Sequence, residues 1–155
     1  MSTIKINEPV PPFTATSTQG NINADELRGS HVVLFFYPRN NTPGCTNESI
    51  DFRDQHDAFK AAGCRVIGVS RDTLASHEKV TEKLQLPYPL IADPDESLCE
   101  LFGVMKMKNM YGRQVRGIER STFLISPDGV LLEEWRKVRV PGHVAEVLDT
   151  VQNRA

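Results

Sequence analysis

The sequence predicts an α/β fold in which helices flank a central mixed β-sheet, and three patterns predict it. Two continuous apolar runs, residues 31–37 and 65–70, have the composition of strands that are buried on both faces, as in parallel sheets covered by helices. A stretch with helical spacing of apolar residues separates the two runs, which gives a strand–helix–strand unit. Later in the chain, Pro127-Asp-Gly129 is a turn signal that joins two further strands directly and so makes them antiparallel.

The length and the net charge of the chain indicate how many domains it has and which partners it can bind. The chain has 155 residues, 39% of them hydrophobic, which suits one domain spanning residues 1–155. Its formal net charge of -2 supplies no field that would hold phosphates or an anionic membrane, so we expect neither nucleic acid nor a membrane as a partner. The start of the chain has no apolar signal core, and no apolar run approaches the ~20 residues of a membrane helix. We therefore expect a cytoplasmic protein.

Seven strands are predicted, at residues 13–17, 21–23, 31–37, 65–70, 90–92, 121–126 and 130–135. The first two flank Thr-Gln-Gly and form a short N-terminal β-hairpin, whose low apolar content places it at one edge of the sheet. The strand that Pro38 closes is a continuous apolar run and is the best candidate for the centre of the sheet.

Four helices are predicted, at about residues 46–62, 73–84, 93–102 and 144–151. Gly63 stands where a helix commonly stops, and Asp72 or Thr73 can cap the second helix. Pro87 and Pro89 forbid its continuation. Together with the strands, this order of elements gives a thioredoxin-like arrangement, although a fold by itself does not supply chemistry.

The cysteines and histidines exclude several kinds of site. Three cysteines, at positions 45, 64 and 99, are an odd number, widely spaced and without a Cys-x-x-Cys pair, so neither a disulfide framework nor a zinc site fits. The four histidines are scattered among different predicted elements: His31, His56, His77 and His143. We therefore expect no metal, no cofactor and no Cys–His couple.

Cys45 has the most informative surroundings. It follows the predicted central strand through the segment Tyr37-Pro-Arg-Asn-Asn-Thr-Pro-Gly and precedes a helix. Ligands of open α/β sheets bind at this carboxyl edge of the strands. The first turn of a helix has unpaired N–H groups and partial positive charge, which stabilise a thiolate over a thiol. A lone cysteine is more often a small buried residue, but the loop rich in Pro and Gly before this one favours a reactive thiol.

The pattern Pro38-x-x-x-Thr42-x-x-Cys45 resembles the active-site signature of the peroxiredoxins. Thr-Pro-Gly-Cys-Thr, at residues 42–46, resembles the form of that signature in the bacterioferritin comigratory protein, or peroxiredoxin Q, branch. The similarity spans nearly the whole chain and continues through Gly103-Val, Met110-Tyr-Gly and Gly117-Ile-Glu-Arg120-Ser-Thr-Phe-Leu-Ile. It implies a thioredoxin-like peroxiredoxin domain and a thiol-dependent peroxidase that reduces hydrogen peroxide and organic hydroperoxides in antioxidant defence.

The resemblance also implies a role for each of five residues. Cys45 would be the peroxidatic cysteine, which becomes a sulfenic acid, and Thr42 would orient the peroxide. Pro38 would shield the pocket, and Arg120 would bring positive charge to the leaving oxygen. Glu48 would pair with Arg120 and orient it. Taken singly, these residues have plainer interpretations: Thr42 as a hydroxyl bonded to its own loop, Pro38 as a strand end, Arg120 as a solvated rim residue and Glu48 as an acid favoured at a helix start.

A predicted loop over residues 104–117 carries basic residues and no acids. The basic residues are Lys106, Lys108, Arg113 and Arg116. A solvated loop is the plain interpretation, and the alternative is a surface that raises the local potential or docks an electron donor.

A sulfenic acid at Cys45 has to be reduced by another thiol. Many peroxiredoxin Q members carry a second cysteine five residues after the first, where this chain has Ile50, and others carry it on the next helix, where residues 71–86 contain none. Cys64 follows a helix of about 17 residues, which spans roughly 25 Å against a limit of ~7 Å between Cα atoms for a disulfide. The sequence favours a one-cysteine mechanism with thioredoxin, glutaredoxin or glutathione as the external reductant, and Cys99 is the alternative resolving cysteine.

Two other functions stay open at this point. A thiol–disulfide oxidoreductase of thioredoxin type needs a second cysteine where this chain has Glu48. A non-catalytic thioredoxin-like module or holdase chaperone needs exposed apolar surface instead of a reactive thiol. The resemblance to the subfamily also favours a monomer.

Overall fold

The computed structural model describes residues 4–154, so positions 1–3 and 155 of the predicted domain lie outside the described residues. The strands in that range are β1 (Thr14–Ser17), β2 (Gly20–Asn23), β3 (His31–Phe36), β4 (Cys64–Ser70), β5 (Leu90–Ala92), β6 (Met105–Met110), β7 (Arg113–Ile118), β8 (Ser121–Ile125) and β9 (Leu131–Arg136). The helices are α1 (Pro43–Asp54), α2 (His56–Ala61), α3 (Leu74–Leu84), α4 (Ser97–Leu101), α5 (His143–Arg154) and a 3₁₀ helix (Ala24–Leu27). None of the helices described is both long enough and apolar enough to span a membrane.

Seven of the strands form one mixed sheet in the order β2-β1-β5-β4-β3-β8-β9. β3 is parallel to β4, and β4 is parallel to β5, whereas β8 is antiparallel to both β3 and β9. The β1–β2 hairpin lies at one edge of this sheet, where β1 pairs with β5. The predicted thioredoxin-like mixed sheet and its N-terminal edge hairpin are confirmed.

The sheet separates two apolar cores, because successive side chains of a strand point to opposite faces. Phe35 of β3 belongs to the core that α1, α2, α3 and α5 cover, and Leu34 belongs to the core that α4 covers. Cys45 lies in the first core and Cys99 in the second. These two cysteines are therefore on opposite faces of the sheet.

Gly68 of β4 makes room for the packing that holds α1. A Cβ at this position would lie 2.7 Å from Cδ2 of Leu90 and 2.9 Å from Cζ of Phe35, closer than real Cβ contacts. The Phe35 ring stacks on Phe52 of α1, with the ring centroids 4.4 Å apart. Close packing of this kind fixes α1 on the sheet and so fixes its first turn at the end of β3.

Two predicted helix boundaries were wrong. The helix predicted over residues 46–62 begins at Pro43, which suits a first helical turn because it needs no N–H partner. It is also interrupted at Gln55, whose φ of -101° and ψ of 6° leave the helical conformation. The helix predicted from residue 93 begins only at Ser97, because the Asp93 carboxylate instead accepts hydrogen bonds from backbone N–H groups of that helix.

The prediction of a loop over residues 104–117 was also wrong, because this basic segment forms the β6–β7 hairpin. These two strands pair with each other as a separate two-stranded antiparallel sheet. Tyr111 and Gly112 both have positive φ, at 54° and 78°, which is the conformation of a two-residue hairpin turn.

Candidate active site

Cys45 lies in the first turn of α1, at the carboxyl end of β3. Thr42 caps this helix in an extended conformation, with φ of -100° and ψ of 150°. The N–H groups of a first helical turn have no acceptor within the helix, so the sulfur lies in a region of partial positive charge. Cys45 itself is nearly buried, with 2% of its surface exposed.

Arg120 reaches Cys45 from a distant part of the chain. It directly precedes β8, and because β8 is antiparallel to β3, Ser121 at its start lies opposite Phe36 at the end of β3. Nη2 of Arg120 lies 3.4 Å from Sγ of Cys45. The backbone is held as well, since the N–H of Val138 donates to the Arg120 carbonyl at 3.0 Å. The antiparallel pairing of β3 and β8 thus brings a guanidinium to the sulfur.

Glu48 binds the other end of the guanidinium. Nη1 of Arg120 donates to Oε1 of Glu48 at 2.7 Å, so the predicted pair is present, and Glu48 is fully buried. Its second oxygen, Oε2, has no hydrogen-bond partner among the described residues. Burial raises the pKa of Glu48 to about 7, and the opposing effect of Arg120 does not cancel it. Burial therefore disfavours the charged form of the carboxyl beside Arg120.

Gly44 allows Arg120 to approach so closely. A Cβ at position 44 would lie 3.2 Å from Nη2 of Arg120, tighter than most contacts that real Cβ atoms make. A larger residue here would push the guanidinium away from Cys45. Gly44 is visible in the sequence motif, but its role depends on where Arg120 lies, which sequence reasoning did not reach.

One open cleft of about 1160 Å³ contains four of the five predicted site residues: Pro38, Thr42, Cys45 and Arg120. Glu48 is not in the cleft wall, and its side chain contacts Arg120 instead. The Thr42 hydroxyl donates to the carbonyl of Arg39 at 3.2 Å, which leaves its oxygen lone pairs available to accept a hydrogen bond from a ligand. The hydroxyl of Thr42 therefore bonds its own loop and also lines the cleft, where it can accept a hydrogen bond from a ligand.

A buried hydrogen-bond network lies beneath the loop of residues 38–42. The Tyr37 hydroxyl donates to Oδ1 of Asn40 at 2.8 Å, and Nδ2 of Asn40 lies 3.0 Å from Nδ1 of His77. Nε2 of His77 lies 2.9 Å from the Ile91 carbonyl, so this nitrogen donates there and Nδ1 accepts from Asn40. Burial lowers the pKa of His77, which favours the neutral ring that this arrangement needs. The network ties the loop before Cys45 to α3.

Neither Asn40 nor His77 is predicted from the sequence to act at the site. The backbone N–H of Asn40 also donates to Asp72 at 2.9 Å, so this residue bonds Tyr37, the segment after β4 and helix α3. The available signal was weak: His77 shares the buried face of α3 with Val80, three residues later, and a buried histidine needs hydrogen-bond partners. Those partners lie far away in the sequence.

The other two cysteines lie away from the cleft. Cys64 begins β4 opposite His31 at the start of β3, so it is at the other end of these strands from Cys45. Burial raises the pKa of the Cys64 thiol to about 12. Cys99 on α4 is fully buried, and burial followed by Asp93 raises its pKa well above the ordinary range. All three cysteines are free.

The described part of the chain contains no group of three or more His, Cys, Asp or Glu side chains that could hold a metal ion.

Comparison with known proteins identifies relatives that are similar to this chain in sequence and in structure. The AhpC/TSA family model matches residues 6–133. The chain is 49% identical over 146 residues to peroxiredoxin Bcp of Xanthomonas campestris. The aligned region covers 94% of this chain and 90% of the relative. A cysteine-to-serine mutant of PrxQ from Xylella fastidiosa superposes with a TM-score of 0.93 at 36% identity and covers 99% of both chains. A structure of the X. campestris bacterioferritin comigratory protein, described for its alkyl peroxide reduction activity, gives a TM-score of 0.88 at 39% identity over 99% of both chains.

Proposed function

The chain belongs to the AhpC/TSA family and is a thiol-dependent peroxidase of the Bcp or peroxiredoxin Q type, and we propose that Cys45 is the thiol that attacks the peroxide. One observation carries the proposal: Sγ of Cys45 lies 3.4 Å from Nη2 of Arg120, and both residues line an open cleft. A thiolate is the nucleophilic form of cysteine, and the guanidinium supplies positive charge beside the sulfur.

Each step of the reaction has a group in the cleft that can serve it. The Cys45 thiolate attacks the terminal oxygen of the hydroperoxide, so that an S–O bond forms as the O–O bond breaks. The sulfur loses two electrons and becomes a sulfenic acid, and the other oxygen leaves with the electron pair. Arg120 donates hydrogen bonds where this negative charge develops, Thr42 accepts the peroxide O–H, and Pro38 keeps water from the sulfur.

We propose that Glu48 is a positioning residue. It is fully buried and touches Arg120 rather than the cleft, so it acts by holding the guanidinium in the orientation that faces Cys45. A carboxylate and a guanidinium form a directional, charge-assisted hydrogen bond, which suits this purpose.

The sulfenic acid is reduced by an external thiol in this proposal. Cys99 is on the opposite face of the sheet from Cys45, and Cys64 is at the far end of β3 and β4, which argues against a disulfide from either one. Thioredoxin, glutaredoxin and glutathione are the candidate donors. An attacking thiolate would meet a favourable potential, because the cleft is lined by Arg39, Arg71, Lys108, Arg113, Arg116 and Arg120.

Both hydrogen peroxide and organic hydroperoxides are proposed substrates. The X. campestris relative is described for alkyl peroxide reduction. The cleft wall here includes the apolar side chains of Met110, Val115 and Ile118, which can contact an alkyl group.

We also propose that the chain acts as a monomer in the cytoplasm. The resemblance to the subfamily favours a monomer, and free thiols persist in reducing compartments. Light scattering on the purified protein tests the first statement, and fractionation of cells tests the second.

The test of the proposed function is peroxide consumption with each of the three reductants. Cys45→Ser should abolish turnover with all of them, whereas the matched controls Cys64→Ser and Cys99→Ser should retain it. Turnover by Cys45→Ser would contradict the assignment of Cys45, and a wild type that consumes no peroxide with any reductant would favour a module or holdase without a reactive thiol. Loss of turnover in Cys99→Ser alone would make Cys99 the resolving cysteine.

A further inference from the structure

Peroxide cleavage leaves an oxygen anion that must gain a proton, and few groups in the cleft can supply one. Five of its six cations are arginines, which stay protonated under all ordinary conditions and do not act as proton donors. Tyr111 also lines the cleft, but it is fully exposed at the tip of the β6–β7 hairpin. The remaining titratable group, apart from Cys45, is Lys108.

Lys108 is held in the cleft by the β6–β7 hairpin. It is half-buried, and its stem lies over Gly117 of β7, where a Cβ would be 3.6 Å from Cδ of Lys108. Its ammonium donates a hydrogen bond to the carbonyl of Ile118, two residues before Arg120. The hairpin thus directs an amine toward the same part of the cleft as the catalytic guanidinium.

The Lys108 ammonium does not form a salt bridge with a carboxylate of the described residues. Among the cations of the cleft, Arg71 and Arg116 pair with Glu96, and Arg120 pairs with Glu48. Lys108 forms no salt bridge with any residue from 4 to 154. An ammonium has three N–H groups, so two remain after the bond to Ile118.

The surroundings also make the ammonium a better acid. Burial, followed by the positive charge of Arg120, lowers the pKa of Lys108, and the negative charges of Cys45 and Glu119 oppose this effect. A general acid works best when its pKa approaches the working pH.

We propose that Lys108 is the general acid that protonates the leaving oxygen, an inference that rests on the proposed role of Cys45. As the Sγ–O bond forms, the electron pair of the O–O bond goes to the leaving oxygen. That oxygen takes a proton from the Lys108 ammonium and departs as water or as an alcohol. The neutral amine then regains a proton from solvent before the next turnover.

The experiment compares oxidants whose leaving groups differ in their need for a proton. Hydrogen peroxide and tert-butyl hydroperoxide expel strongly basic oxygens, whereas peracetic acid expels acetate, which is stable as an anion. Rapid mixing gives the second-order rate constant for oxidation of reduced Cys45 in wild type, Lys108→Arg and Lys108→Met. Lys106→Met is the matched control, because Lys106 is an exposed lysine of the same strand that does not line the cleft.

The Lys108→Arg variant separates proton donation from charge, since it keeps the positive charge and cannot act as an acid near neutral pH. We expect it to lose about 10²-fold in rate with hydrogen peroxide, the lower range for general acid catalysis, and to keep its rate with peracetic acid. Lys106→Met should match wild type with every oxidant.

Two results would overturn the inference. One is a Lys108→Arg variant that keeps the wild-type rate with hydrogen peroxide, and the other is an equal loss with hydrogen peroxide and peracetic acid. Failure of the proposed function is distinguishable from these results, because Cys45 of the wild type would then stay reduced with every oxidant.

Discussion

Cys45 and Cys64 belong to the same apolar core and are almost equally buried, with 2% and 3% of their surfaces exposed. Cys45 lies at the carboxyl end of β3, where a helix begins and Arg120 lies 3.4 Å from its sulfur. Cys64 lies at the start of β4, where its thiol donates to the carbonyl of Arg65 and burial raises its pKa to about 12. The same residue type therefore lies beside a cation and an open cleft at one edge of the sheet, and beside backbone groups of Arg65 and Val33 at the other.

The comparison shows that burial does not separate the two cysteines, whereas the direction of the strands does. Helices that follow parallel strands begin at the carboxyl edge, so their positive ends collect there. The antiparallel strand β8 adds Arg120 to that same edge, because its start lies opposite the end of β3. Substitutions at the two edges should therefore differ in their effect on the oxidation of Cys45.

Removing the guanidinium should have the largest effect. We expect Arg120→Met to lower the rate of Cys45 oxidation by about 10² to 10³, the usual cost of losing one donor to a developing oxygen anion. The measurement is the second-order rate constant with hydrogen peroxide. Arg65→Met, which removes an exposed arginine beside Cys64, is the control and should leave that rate unchanged. If the rate constant of Cys45 oxidation in Arg120→Met stayed within a few-fold of wild type, Arg120 would not account for the difference between Cys45 and Cys64.

Breaking the network beneath the active-site loop should come next. Asn40→Ala leaves the Tyr37 hydroxyl and Nδ1 of His77 without their partner, and each unpaired buried group costs about 1–3 kcal/mol. We expect the free energy of unfolding to fall by at least about 1 kcal/mol in urea denaturation. The rate of Cys45 oxidation should fall as well, because the loop loses its anchor. Asn109→Ala, at an exposed position of the β6–β7 hairpin, is the control, and equal stability of the two variants would contradict the account.

Glu48 should make the free energy of unfolding depend on pH. The pKa of its carboxyl is raised from 4.5 to about 7, so the folded protein holds this proton more tightly than the unfolded chain does. Its contribution to the free energy of unfolding is therefore fully present below pH 4.5 and is lost as the pH rises through about 7. Glu48→Gln should remove this slope in denaturation measured across that range.

The control for this pH dependence is Glu96→Gln. Hydrogen bonds from Arg116 lower the pKa of Glu96, so its contribution has the opposite sign and is lost as the pH falls. An unchanged slope in Glu48→Gln would show that the carboxyl titrates in its ordinary range and that burial does not dominate at this edge.

The smallest effect on the oxidation of Cys45 is expected from substitutions of Cys64 and Cys99, which lie away from the cleft. Cys64→Ala and Cys99→Ala should each lower the free energy of unfolding by about 1 kcal/mol, a typical cost of a single substitution. The rate of Cys45 oxidation should not change in either variant. A tenfold slower oxidation in Cys64→Ala would mean that the two ends of this core are coupled.

The parts of this site that depend on local sequence were predictable. The apolar strand ending at Pro38 and the helix after it place Cys45 correctly, because hydrophobic periodicity and turn chemistry act over a few residues. The approach of Arg120 followed from the family resemblance and not from periodicity. The structure supplies its physical reason in the pairing of β3 with β8.

Other parts depend on long-range contacts and could not be predicted. The β6–β7 hairpin was missed because its residues are mostly exposed and polar, so apolar alternation does not mark the strands. Its turn also uses a tyrosine at positive φ, which is an uncommon turn residue. Asn40 and His77 are 37 positions apart, and only the packing of α3 against the sheet makes them partners.

The most direct test of the central claim is to identify the sulfur that one equivalent of peroxide oxidises. The reduced protein is mixed with hydrogen peroxide in the presence of dimedone, which traps sulfenic acids, and is then analysed by peptide mass spectrometry under non-reducing conditions. The account predicts a label on Cys45 alone, with Cys64 and Cys99 still as thiols. A label on either of the other cysteines, or a disulfide between Cys45 and Cys99, would contradict it.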